Sequence, residues 1–243
     1  MSPGHAYALT RMQARLASRP GPDGLAHLAS IGDFGHFLQA AGKAGYGDWL
    51  QHLGSESGAH PTELAVRLAF RDQLEQVADW LPRRWQKLLD WLSLAPDLPI
   101  LADLLRAAPA KAWVARDPRL GRLLDTDGSL DKHRLQSEWP ELARVSAEQL
   151  DVAWIEAALA RLPGNDRDAR AEARQLLAEQ LAPRPERVHE RLLVAFRRRP
   201  DVATRITSFA GLLRLDFEFL RGHLARRRLQ STARPAAETA AGG

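Results

Sequence analysis

Apolar positions recur along this chain at steps of three and four, the period of an amphipathic helix, and almost nowhere at steps of two. Ala6–Ser18 predicts a first helix, with Tyr7, Leu9, Met12 and Leu16 as its apolar positions and Arg19-Pro20-Gly21-Pro22 as its stop. A second helical stretch is expected from Gly24 to about Ala41, carrying Leu25, Leu28, Ile31, Phe34, Phe37 and Leu38. Gly42–Gly47 reads as a turn, and Trp49 and Leu50 open a short helix that ends at GSESG. Pro61 suits the first turn of the next helix, where Leu64, Leu68, Leu74, Val77 and Leu81 make a stripe that Pro82 stops. A helix is expected from Arg83 to about Leu94, with Trp85, Leu88, Leu89 and Leu92 inward, followed by shorter ones near 97–107 and 109–115. Residues 117–146 are the least regular. Helices then follow near 147–161, 165–182 and 184–198. The last runs from Pro200 to about Arg228, with Val202, Ile206, Phe209, Leu213, Leu220 and Leu224 as its stripe.

This pattern predicts an all-α, multi-helix protein of about a dozen helices and no β-sheet. It divides into an N-terminal helical lobe (1–117), a loop-rich connection (118–146), a C-terminal helical lobe (147–230) and a low-complexity tail (231–243) expected to be disordered. Composition agrees. Leu, Ala and Arg dominate, while the β-branched and aromatic residues that strands use are scarce.

Charge sharpens the picture. The net charge is +4, yet the pI is about 9.9, because the basic residues are nearly all arginine. Residues 1–163 carry 18 basic and 20 acidic side chains, whereas 164–230 carry 15 and 9. An acidic partner is therefore expected to meet the C-terminal third. The arginine runs Arg197–Arg199 and Arg226–Arg228 lie at predicted helix ends, where the helix dipole favours cations. Neither is interleaved with aromatics, so nucleic acid is not an expected partner.

Candidate chemistry is thin. There is no cysteine, which removes thiol nucleophiles, disulfides and Cys-ligated metals. The N-terminus lacks the pattern of a signal peptide, and no run of about 18 apolar residues predicts a membrane span. Asp125–Asp131, DTDGSLD, has its glycine fourth rather than sixth, with Gln136 at the twelfth position, so it reads as an Asp-Gly turn rather than a calcium loop. The eight histidines form no HExxH pair, and AGKAG around Lys43 is not a phosphate-binding loop. No catalytic, metal or cofactor residue is assigned, and no cofactor is expected.

WLPRRWQKLLDWL places three of the seven tryptophans, Trp80, Trp85 and Trp91, in thirteen residues. Trp85 is expected in the core. Trp80 or Trp91 is expected at a groove edge or partner surface, where tryptophan is enriched; burial of all three is the open alternative.

HAYALTRMQARL followed by AGYGDWL resembles the start of the V-type ATPase C/AC39 family of central-stalk proteins. The shared positions are Tyr7, Arg11 and Arg15 on one helix, then Tyr46 and Gly47 after a turn. WLPRRWQKLLDWL with DLPILADLL, and the closing FAGLLRLDFEFLRGHLARRRLQ, look similar to short bacterial relatives of that family. The resemblance implies a funnel-like or lobed helical body. It also implies a non-catalytic, cytoplasmic central-stalk component, peripheral to the membrane, that links the rotor shaft to the membrane ring of an ion-translocating ATPase. On that reading Arg221, Arg226, Arg227 and Arg228 supply polar contacts, and Trp80 or Trp91 anchors a partner helix. Two alternatives stay open: a helical adaptor or assembly protein of another membrane transport complex, and an enzyme with a helical-bundle pocket.

Overall fold

The computed structural model of the protein describes residues 3–164, 166–181 and 185–240, with side chains over 4–164, 166–181 and 188–230. The fold is all-α. In chain order the helices are α1 (Pro3–Ala17), α2 (Pro22–Ser30), α3 (Phe34–Ala41), α4 (Gly47–Leu50), α5 (Ala59–Trp80), α6 (Gln86–Leu92), α7 (Leu98–Leu105), α8 (Lys132–Glu138), α9 (Pro140–Ala143), α10 (Leu150–Ala160), α11 (Arg167–Leu181), α12 (Pro185–Arg198) and α13 (Val202–Ala240). Among the described residues the one extended pairing is an isolated antiparallel bridge between Leu124 and Leu130. It flanks the predicted Asp-Gly turn, where Gly128 takes φ 81°.

Most boundaries follow local chemistry. The stretch expected as one helix from Gly24 to Ala41 is two, because Asp33 caps α3 by accepting from the His36 N–H at 2.7 Å. Ile31 is correspondingly extended. The helix expected at 109–115 is absent apart from a single 3-10 turn at Val114–Arg116. Ala107, at φ 59°, is in the left-handed region just past the end of α7. Helix α13 continues to Ala240, so the tail expected to be disordered from 231 is helical to that point, and 241–243 lie outside the described residues.

The two expected lobes share one core. A single apolar cluster runs from Ala8 on α1 through Trp154 on α10 to Leu224 on α13. Helix α13 packs on α5 and α3, while α10 packs on α6 and α7. A small second cluster of Leu176, Val188, Leu192, Ala195 and Leu212 joins α11, α12 and α13. Trp91 and Trp154 lock the junction reciprocally: each indole N–H donates to the other residue's carbonyl, at 2.9 and 3.1 Å. Arg161 lies 3.9 Å over the Trp91 ring. No described helix is long and apolar enough to cross a membrane.

The face that α5 buries differs from the expected leucine stripe. Leu64 and Leu68 are only half-buried, while Val66, Arg67, Phe70, Leu74 and Val77 are inside. The reason is an ion cluster that the apolar period does not encode. Arg67 donates to Glu63 at 2.8 Å, to Asp97 at 2.8 Å and to the Pro96 carbonyl at 2.8 Å. Arg71 bridges Asp97 at 2.9 Å and Asp117 at 2.8 Å. The positions 63, 67 and 71 are one helical turn apart, so a single side of α5 holds the loops around 97 and 117.

Burial alone would push the Asp117 carboxyl up. The Arg71 guanidinium outweighs it, together with the N–H groups of Leu120 and Arg119, and holds Asp117 below the usual carboxylate range. A carboxylate depressed in the fold contributes stability that is complete above its unfolded pKa, about 3.9, and is lost as pH falls through the folded value. Asp117→Asn is expected to cost about 3–5 kcal/mol at neutral pH, the usual result of breaking a buried pair. In urea melts the gap from the parent should close as pH falls below about 4. A gap independent of pH would contradict the assignment.

Candidate functional site

Four of the residues singled out by sequence meet on one surface. Tyr7, Arg11 and Arg15 are spaced by four along α1 and so share a face. Trp80, the last residue of α5, packs against that face. The Arg11 guanidinium lies 6.0 Å from the Tyr7 ring centre and 5.0 Å from that of Trp80. Arg15 lies 5.6 Å from Trp80, donates to Gln76 at 3.1 Å and has Asp48 at 3.9 Å. Trp80 is half-buried, and Tyr7 is 55% exposed. The outcome is a ladder of ring, cation, ring, cation, fixed from behind and open in front.

Tyr46 and Gly47 lie elsewhere. Tyr46 is buried, and its hydroxyl donates to Asp216 of α13 at 2.8 Å. Arg19 donates to the same carboxylate oxygen at 2.6 Å. Burial raises the Tyr46 phenol, reinforced by the neighbouring negative charge, which keeps it a neutral donor. Burial likewise raises Asp216, against the pull of Arg19 and Tyr46. Helix α3 runs into the turn before Tyr46 through Gly45 at φ 100°, where an added Cβ would sit 2.4 Å from the Ser18 carbonyl oxygen. The glycine this turn demands is therefore Gly45. Gly47 has an ordinary helical backbone.

The other expected partner residues divide. Trp91 is buried and hydrogen-bonded to α10, so it presents no surface. Arg227 is also buried. It donates to the Ile31, Leu28 and Ala29 carbonyls at 2.7, 3.0 and 3.2 Å, which caps the C-terminus of α2, and it lies 4.1 Å over Phe37. In both cases a backbone carbonyl of a neighbouring helix or its end supplies the acceptor inside the fold; for Arg227 these are the bare carbonyls at the end of α2. Arg228 donates to the Ser55 carbonyl and stacks 3.5 Å over Phe34. Arg221 grips both oxygens of Glu63, at 2.9 and 3.0 Å. Arg226 is exposed.

The surface also has a concave feature away from the ladder. A cavity of about 720 Å³ opens between the loop after α1, helix α12 and helix α13. Leu16, Leu25, Leu193, Leu215 and Phe219 form most of its wall, and Arg19, Asp216, His189 and Arg197 contribute polar groups. Burial and the Arg19 charge lower the His189 imidazole. One cue was present in the sequence: Asp216 is an acid flanked directly by Leu215 and Phe217, and an acid buried among such residues requires a cation.

Among the described residues no group of three or more His, Asp and Glu side chains is placed to hold a metal ion. Asp131 of DTDGSLD caps α8, accepting from the His133 and Arg134 N–H groups. No protein-family model matches the chain, no curated protein matches its sequence and no solved structure matches its fold.

Gly45→Ala tests the turn that delivers Tyr46. The left-handed backbone alone costs an L-residue about 1–2 kcal/mol, and the Ser18 carbonyl adds a clash. A loss of at least about 2 kcal/mol in urea unfolding is expected. Gly47→Ala, by contrast, should stay within about 0.5 kcal/mol. Equal effects at the two positions would refute the assignment of the turn.

Proposed function

We propose that the protein is a non-catalytic, protein-binding component of a V-type (rotary) ATPase or a related membrane ion-translocating complex, linking the rotor shaft to the membrane ring. The observation that carries this reading is the Tyr7–Arg11–Trp80–Arg15 ladder. Tyrosine, tryptophan and arginine are the residues that dominate binding energy at protein interfaces. Here they are ordered before any partner arrives, which lowers the entropy lost on docking. Three of the four are positions on which the resemblance to the C/AC39 family rests.

The site is suited to a partner surface with carboxylates and a flat apolar contact. Arg11 is exposed and already aligned between two rings. An acidic side chain of the partner would meet it with little side-chain reordering. The all-helical body, tied across its length by α13, gives that surface a stiff support. On this reading the protein is peripheral to the membrane and works without a cofactor.

A tagged full-length protein, recovered from native membranes in mild detergent and analysed by mass spectrometry, tests the proposal. Rotor shaft and ring proteins should co-purify. Arg11→Glu and Trp80→Ala should each lower their recovery at least about tenfold, the size of effect expected at an interface hot spot, while circular dichroism stays unchanged. Recovery of a different membrane transport complex, lost with the same two substitutions, would replace the rotary reading by the adaptor one. Recovery insensitive to both substitutions would reject the ladder as the interface.

A further inference from the structure

The cavity between α12, α13 and the loop after α1 has the size and wall of a ligand pocket. Its volume, about 720 Å³, lies inside the usual range for small-molecule sites, about 300–1,000 Å³. Its wall is mostly hydrocarbon, so the body of any occupant must be apolar. The polar groups then decide which end group is accepted.

Both carboxylates in the wall have arginine partners. Asp216 takes hydrogen bonds from Arg19 and Tyr46. Glu218 has Arg221 at 3.5 Å and Arg214 at 4.0 Å. The wall also has donor capacity. The Arg19 Nε is buried with no hydrogen-bond partner among the described residues, a sign that this guanidinium is not fully satisfied by Asp216. Arg197 lines the cavity with an exposed side chain. Its position follows from α12: His189, Leu193 and Arg197 are spaced by four and form one strip along the wall. That strip runs imidazole, leucine, guanidinium over about 12 Å. A charged end at Arg197 would leave a hydrocarbon tail lying along Leu193, Leu215 and Phe219.

We infer that this cavity is a binding site for a single-chain anionic amphiphile, an alkyl carboxylate or alkyl phosphate, with its head at Arg197 and its chain between α12 and α13. A cationic head would meet the charges of Arg19 and Arg197, and a wholly polar ligand would bury against leucine. A fully apolar ligand would fill the space and gain nothing from Arg197. The inference is independent of the interface on α1 and α5, since the cavity shares no residue with the ladder.

Calorimetric titration of the full-length protein with decanoate, decyl phosphate and decanol, all below their micelle or solubility limits, tests it. Either anion should bind one to one, at least about tenfold more tightly than decanol, the worth of a charge-assisted contact. A preference for phosphate over carboxylate would identify a lipid-like head, and the reverse a free fatty acid. Arg197→Gln, an exposed position, should weaken both anions about tenfold and leave decanol unchanged. Leu193→Trp should fill the cavity and abolish binding of all three. Absence of binding by both anions would overturn the assignment, as would decanol binding as tightly as decanoate. Unchanged anion affinity in Arg197→Gln would overturn it too, and that variant decides the matter even where Leu193→Trp does not fold.

Discussion

Asp216 cannot be buried alone. An ionised carboxylate taken out of water costs several kcal/mol even after the protein relaxes, and the cost is offset only by a matched cation and donors. Here both partners come from the far end of the chain: Arg19 follows α1, and Tyr46 follows α3, while Asp216 sits in the middle of α13. Satisfying one carboxylate therefore fixes where the first 46 residues lie against the last helix. The turn that delivers Tyr46 needs glycine at position 45, since its backbone is left-handed and the Ser18 carbonyl occupies the space a side chain would need. The pairing with Asp216 also brings Arg19 and Tyr46 to the wall of the cavity.

Arginine plays the same organising role elsewhere. Arg67 and Arg71 on α5 hold Asp97 and Asp117, Arg221 holds Glu63, and Arg227 caps α2. Much of what looks in composition like a cationic surface is thus internal wiring. The guanidinium suits the task because its planar fork of five donors can serve a carboxylate and a carbonyl at once. Arg67 does both, to Asp97 and to Pro96. Other arginines stay at the surface, among them Arg11 beside Trp80, Arg197 at the cavity and Arg226 on α13.

The helices are largely legible in the sequence, because apolar periodicity and Pro/Gly punctuation are local signals. So are the inward placements of Trp85, Leu88, Leu89 and Leu92. Differences arise where a polar group overrides the apolar count. The stripe on α5 is rotated to bury Arg67 in place of Leu64 and Leu68, and the Asp33 cap splits one expected helix into α2 and α3. The predicted lobes do not separate, because α13 reaches across to α5 and α3. For the candidate site, the four-residue spacing of Tyr7, Arg11 and Arg15 is visible, and so is the excess of tryptophan around Pro82. That Trp80 completes the ladder while Trp91 turns inward is not.

The sequence by itself determined the class of structure: period-3.6 apolar stripes on residues with high helix propensity leave no material for a sheet. It determined the short-range geometry too, including the Asp-Gly turn at 125–131 and the stop at Pro82. Only the tertiary structure decided which arginines are buried and which face outward. Helical spacing assigns a side chain to a face of its own helix, but a cation's position depends on whether an acid or a bare carbonyl waits on the helix packed against it. Those partners lie up to 199 residues away, as Arg227 and Leu28 do, beyond the reach of any local pattern.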